Sequence, residues 1–270
     1  MGRDIRFLSG IHRSGNTVLA SILNQNPNFY IEGISPLVGL MWETDVFKSS
    51  DEISIINNHQ KHTEDFISKI PETFYSYVKE PIIIDRCKTW TTPGNLGIIK
   101  KYITDTPKII FTTRPLVEVI ASLIVMNKEH YLSIFPYNWN YKTYMSQNDN
   151  IAEYLLQSSG SMDTFLLSYN SLSNSDNKDY IHVVKYCDLL ADPEKTLEDI
   201  YKFFDLDLFE HDFNNIKSED VYNDSIMGFS SDLHKIRKTI SKSNLNPEDV
   251  LSDKMIDRIN AMDPYYILGL

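Results

Sequence analysis

The stretch Ile5-Arg6-Phe7-Leu8-Ser9-Gly10-Ile11-His12-Arg13-Ser14-Gly15-Asn16-Thr17-Val18-Leu19 decides the fold. Ile5 to Leu8 reads as a short buried strand, and Ser9 to Gly15 as a polar loop. From Asn16 to Asn24, Val18, Leu19, Ile22 and Leu23 recur at helical spacing, and Asn26-Pro27-Asn28 ends that helix. Between strand and helix, Gly10, four residues, Gly15, one residue and Thr17 give the spacing of a phosphate-binding loop. The backbone N–H groups of such a loop, at a helix N-terminus, cradle a phosphate. Asn16 stands where the lysine that reaches the β- and γ-phosphates belongs, and Arg13 is the loop's permanent cation. The loop therefore suits a 5′-phosphate better than a γ-phosphate with its Mg²⁺.

Working outward, Pro81–Asp85, Lys108–Thr112 and Ile181–Tyr186 are further apolar strands. Thr92-Pro93-Gly94, Pro115 and Asp192-Pro193-Glu194 are helix starts followed by apolar residues at helical spacing, and Asn246-Pro247-Glu248 opens a last helix. Strands alternating with helices predict an α/β fold, a central parallel sheet flanked on both faces by helices. The expectation is a single domain over residues 1–270, with helical insertions near 37–78 and 129–175.

The chain carries 26 basic and 37 acidic residues in 270, a net charge of −11, which argues against a nucleic-acid partner. A small anion needs only a few placed cations. Four of the seven arginines, Arg13, Arg86, Arg114 and Arg237, fall in or beside the motifs described here. Two cysteines make no disulfide framework, no apolar run approaches ~20 residues, and the start of the chain does not read as a signal peptide. A cytoplasmic protein without a membrane span is expected.

The loop resembles the 5′-phosphosulfate loop of the sulfotransferase family, with His12 in place of the usual proline and Asn16 in place of a serine or threonine. The stretch Ile109–Ser122 resembles the same family's 3′-phosphate motif: Arg114 at the end of a strand and Ser122 eight residues on. Val183–Glu194, with Tyr186, is similar to a third family segment, and Leu233–Lys238 lies where many members carry a basic loop. The resemblance implies a P-loop NTPase-like sulfotransferase fold. It further implies transfer of a sulfuryl group from 3′-phosphoadenosine 5′-phosphosulfate (PAPS) to a hydroxyl or amine, by in-line displacement with a general base and without a metal.

On that resemblance, His12, Arg13, Ser14, Gly15, Asn16 and Thr17 hold the 5′-phosphosulfate, and Arg114 and Ser122 hold the 3′-phosphate. Tyr186 lies near the adenine or else packs in the core, and Lys235 and Arg237 clamp the phosphates or form a solvated basic turn. Arg13 stabilises the leaving oxygen. Arg86 and Lys88, after the second long strand, are cations for the sulfate. Glu32 is the first candidate for the base, with Asp85 and His12 as the others. The acceptor is a small molecule, glycan or peptide. The rings of Tyr131, Phe135, Tyr137, Trp139, Tyr141 and Tyr144 could stack on it or pack within an insertion. A P-loop kinase of a small molecule, using Asp85 for Mg²⁺, and a non-catalytic nucleotide-binding protein are the alternatives.

Overall fold

A computed structural model describes residues 4–134, 142, 144–157, 162, 166–217, 238–241 and 244–270. Five strands, β1 (Asp4–Gly10), β2 (Phe29–Tyr30), β3 (Ile82–Arg86), β4 (Ile109–Thr113) and β5 (Ile181–Lys185), form one sheet in the order β2-β3-β1-β4-β5. Every neighbouring pair is parallel, with Phe7 opposite both Asp85 and Ile109, and Gly10 opposite Thr112. All five strands thus deliver their C-terminal ends to the same edge, where open parallel sheets bind ligands.

Strand alternation sorts the core into two layers. Phe7, Ile83, Ile109 and Phe111 face one layer, packed with Trp90, Leu37 and Met41. Leu8, Ile82, Ile84, Ile110 and Val184 face the other. Helix α1 (Asn16–Leu23) covers the second face through Leu19, Ile22 and Leu23. The first face is covered by α2 (Leu37–Ser50), the helix Pro93–Tyr102 and the long helix Leu116–Ile134, here α3 and α4. Helices α5 (Tyr186–Ala191) and α6 (Pro193–Phe203) follow β5.

The expected parallel α/β architecture is present. The segment 37–78 is helical, adding Glu52–Ile56, Gln60–Ile67 and Ile70–Phe74 after α2. Three details differ from the sequence expectation. Strand β2 pairs only Phe29 and Tyr30, too short a run for periodicity to reveal. Tyr186 begins α5 rather than ending β5. Asn246-Pro247-Glu248 caps only a 3₁₀ turn, and the helix proper, α7 (Asp253–Met262), is capped by Ser252. Beyond it, the fully buried Asp263 accepts the backbone N–H of Leu116 at 2.6 Å, capping α4 from 147 residues away.

Candidate functional site

The loop after β1 is shaped by its glycines. Gly10 has φ +143°, and a Cβ there would lie 2.2 Å from Thr112 Oγ1 and 2.5 Å from the Thr112 carbonyl. Gly15 caps α1 at φ +89°, where a Cβ would strike the Tyr186 ring at 2.9 Å. Arg13 itself is left-handed at φ +57°. Inside the turn, the Ser14 hydroxyl stands 2.6 Å from both the Ile11 carbonyl and Thr112 Oγ1. Asn16 is 6% exposed, and both of its side-chain polar atoms lack a hydrogen-bond partner. A buried amide with no partner among the described residues is an unmet demand for a polar group or water.

The second phosphate motif lies against the first. Arg13 Nε donates to Ser122 Oγ at 3.2 Å, and Arg114 donates to the Arg13 carbonyl at 3.2 Å. Arg114 is 7% exposed; its Nε bonds Glu118 at 2.8 Å and its guanidinium lies 4.6 Å from the centre of the Tyr186 ring. Sequence separations of about a hundred residues are therefore closed by the β1–β4 pairing. Tyr186 is brought into the same cluster from β5 and touches the loop and Arg114 together.

At the end of β3, alternation divides two charged residues. Asp85 follows the face of Ile83 and is 1% exposed, accepting Tyr75 Oη at 2.6 Å and Trp90 Nε1 at 2.7 Å. Burial raises its carboxyl above the ordinary range. Arg86 follows the opposite face and reaches Thr17 Oγ1 of α1 at 3.2 Å. Lys88 then returns to the loop: its carbonyl accepts Gly10 N–H, and its Nζ lies 2.9 Å from His12 Nδ1. Burial first, then the cations of Arg86 and Arg13, push Lys88 down to about 8.

Glu32 lies just past the edge strand β2, with β3 between that strand and β1. It is exposed, and one carboxylate oxygen accepts both Tyr30 and Tyr77 hydroxyls at 2.8 and 3.0 Å. The structure thus brings together His12, Arg13, Ser14, Gly15, Asn16, Thr17, Arg86, Lys88, Arg114, Ser122 and Tyr186, with Glu32 at the flank. Lys235 and Arg237 lie outside the described residues, as do five of the six aromatic side chains named above; Tyr144 is exposed. Glu118 and Thr112 were not read from the sequence. The i, i+4 spacing of Glu118 from Arg114 is a recognisable signal, whereas Thr112 needs the sheet register to appear.

A profile of the sulfotransferase family matches residues 7–211. Among solved structures, the sulfotransferase domain from the curacin biosynthetic pathway superposes with a TM-score of 0.56 at 14% identity, covering 97% of each chain. A sulfotransferase from Alicyclobacillus acidocaldarius gives 0.52 at 13% identity over 78% of this chain and 85% of that one. Mouse sulfotransferase SULT7A1, complexed with PAP, gives 0.52 at 13% identity over 96% and 84%. These identities speak to fold. A comparison with curated proteins gives no match.

Proposed function

Because the chain belongs to the sulfotransferase family, we propose that it uses PAPS to sulfate a hydroxyl or amine of a small molecule, glycan or peptide. The observation that carries this is the meeting of two anion sites: the loop Gly10–Thr17, and the Arg114–Ser122 pair bonded to it through Arg13. A nucleotide with phosphates at both ends of its ribose needs two such sites.

The residues fit that ligand. The loop's backbone N–H groups at the start of α1 and the orphaned Asn16 amide hold the 5′ end. Arg114, held over the Tyr186 ring and bonded through Nε to Glu118, offers the 3′-phosphate a preset guanidinium. Tyr186 extends an aromatic face beside that arginine for the adenine. When bound, PAPS supplies the electrophilic sulfur and its bisphosphate leaving group. Arg13, Arg86 and Lys88 supply positive charge where the leaving oxygen becomes negative, and positioning and electrostatics do most of the catalysis in such transfers.

Calorimetry with adenosine 3′,5′-bisphosphate against ATP plus Mg²⁺ tests the reading. Micromolar bisphosphate binding, weakened at least about 100-fold by Arg114→Ala, is the expected result. A preference for ATP plus Mg²⁺ would refute it.

A further inference from the structure

We propose that Tyr30 and Tyr77 are positioning residues for Glu32: their hydroxyls fix its Oε2 and leave Oε1 to take the proton of the incoming hydroxyl or amine. The proposal rests on the sulfotransferase reading, and within it on Glu32 as the base.

Glu32 directly follows β2, at the edge of the sheet where all the strands end. The segment that carries it is pinned on both sides. Asn24 Oδ1, at the end of α1, accepts Ile31 N–H at 3.2 Å. The Arg86 carbonyl accepts Ser35 N–H at 2.8 Å, and the Arg86 side chain reaches Thr17 at the start of α1. The backbone around Glu32 is thus tied to the phosphate loop's own helix and to a cation beside the loop, while the carboxylate itself is exposed.

Two elements far apart in sequence then converge on one carboxylate oxygen. Tyr30 comes from β2, and Tyr77 from the segment before β3, 45 residues beyond Glu32. Their hydroxyls lie 2.8 and 3.0 Å from Glu32 Oε2 and 2.9 Å from each other. The hydroxyls own two protons and the ionised carboxylate none, so only two of these three contacts are filled. Aiming both protons at the charged oxygen makes two charge-assisted bonds, the stronger arrangement. Oε1 has no hydrogen-bond partner among the described residues.

The support behind the pair is rigid. The Tyr30 ring meets Tyr75 and Tyr77 edge-on, with centroids 6.1 and 5.9 Å apart. Tyr75 is held in turn by its 2.6 Å bond to the buried Asp85. Tyr77 is 58% exposed, so its ring buries little apolar surface and its hydroxyl accounts for its placement. An exposed glutamate without such donors samples many rotamers, few of them productive.

In the transfer, Glu32 Oε1 takes the proton as the acceptor's O–H or N–H bond breaks. The freed electron pair forms the bond to sulfur, and the sulfur–oxygen bond to the 5′-phosphate breaks with its pair leaving on the bisphosphate. Tyr30 and Tyr77 keep their protons throughout and donate to Oε2 before and after the step.

The main readout is bisphosphate release from PAPS with water as the acceptor. Glu32→Gln is expected to lose at least about 100-fold in this rate while bisphosphate affinity stays within about threefold. A rate that survives Glu32→Gln, or a wild-type rate no faster than that variant's, overturns the proposal. Tyr77→Phe should cost about 3- to 10-fold in kcat, and the Tyr30→Phe, Tyr77→Phe pair about 10- to 30-fold, the rotamer freedom returned to a glutamate. Unchanged or faster turnover in the pair overturns the proposal. In the Glu32→Gln background, Tyr77→Phe should change the residual rate less than about twofold, because no base is left to position. An equal loss in both backgrounds means a merely structural role and also overturns it.

The second readout needs no turnover. Tyr77 faces Glu32 and Tyr30, with Tyr75 behind, and it stands above the ordinary 10.0 through burial first and then Glu32. In a ¹³Cζ-tyrosine NMR titration, the resonance assigned by its loss in Tyr77→Phe should titrate lower in Glu32→Gln than in the wild type. No movement means that the contact is not made in solution, and overturns the proposal. Failure of the wild-type chain to bind bisphosphate sinks the parent reading, whereas bisphosphate binding with any of the overturning results above sinks this proposal alone.

Discussion

Arg13 Nε donates to Ser122 Oγ at 3.2 Å across a separation of 109 residues, so the phosphate loop and the start of α4 are joined through side chains as well as through the sheet. Arg114 adds a second tie to the Arg13 carbonyl. The loop Gly10–Thr17 and the Arg114–Ser122 pair are one connected structure, and a ligand that orders one should order the other.

That connection is open to a double-mutant cycle. Ser122→Ala is expected to weaken bisphosphate binding by about 10- to 150-fold, the worth of one hydrogen bond to a charged group. Combined with Arg13→Ala, it should cost less than the sum of the single losses, with a coupling of about 0.5–1.5 kcal/mol by calorimetry. Strict additivity would mean the Arg13–Ser122 contact plays no part in the bound state.

Two glycines make a contrasting pair. Gly10→Ala forces a Cβ into the Thr112 backbone at a φ of +143°, so it should destabilise the fold by about 3 kcal/mol or more and abolish bisphosphate binding. Gly39 lies exposed within α2 with open space around it, and Gly39→Ala should stabilise by about 0.5–1 kcal/mol. Chemical denaturation of both variants checks this, and equal effects would contradict the geometry.

Asp85 should behave as a structural acid. Asn at this position keeps an acceptor for Trp90, and the Tyr75 hydroxyl can rotate to accept from the amide. Asp85→Asn should therefore leave the bisphosphate-release rate within about threefold, while Asp85→Ala strands two buried donors and costs about 2–4 kcal/mol. Burial raises the folded carboxyl above its unfolded value of 3.8, so its contribution to stability is full below that pH and is lost as pH rises through the raised value. Asp85→Asn should remove this part of the pH dependence in thermal melts.

His211 acts in the opposite direction. Its Nε2 meets Tyr201 Oη at 3.0 Å, and that hydroxyl accepts Asn26 Nδ2 at 2.9 Å. Burial depresses it from 6.5 to about 4. Its stabilising effect is therefore present above pH 6.5 and lost as pH falls through 4, by about 1–2 kcal/mol once solvent screening of this half-buried ring is counted. Melting curves of His211→Gln should show a shallower decline across that window than the wild type; identical slopes would count against it.

Local pattern was a good guide wherever one short stretch carried its own signal. Ile5–Leu19 encodes a strand, a turn that needs glycine and an amphipathic helix in consecutive residues, so loop and helix could be read directly. The Asp192 cap was legible for the same reason, and its carboxylate accepts Lys195 N–H as its sequence suggests. What escaped depends on partners far along the chain. Asp85 and Arg86 are adjacent, yet strand alternation sends one into the core and the other to Thr17, which no motif reveals until the strand's outer face is known. The Lys88–His12 contact likewise exists only because β3 and β1 are neighbours.

Asp263 gives the site a schedule. The helix that carries Ser122 has its first turn fixed by a carboxylate 147 residues downstream of Leu116. During synthesis the loop Gly10–Thr17 is made long before Asp263, so the cap on the Ser122 helix arrives after the segment it supports. The order of the helix that carries Ser122 therefore waits on a residue made well after that helix's own sequence has been read.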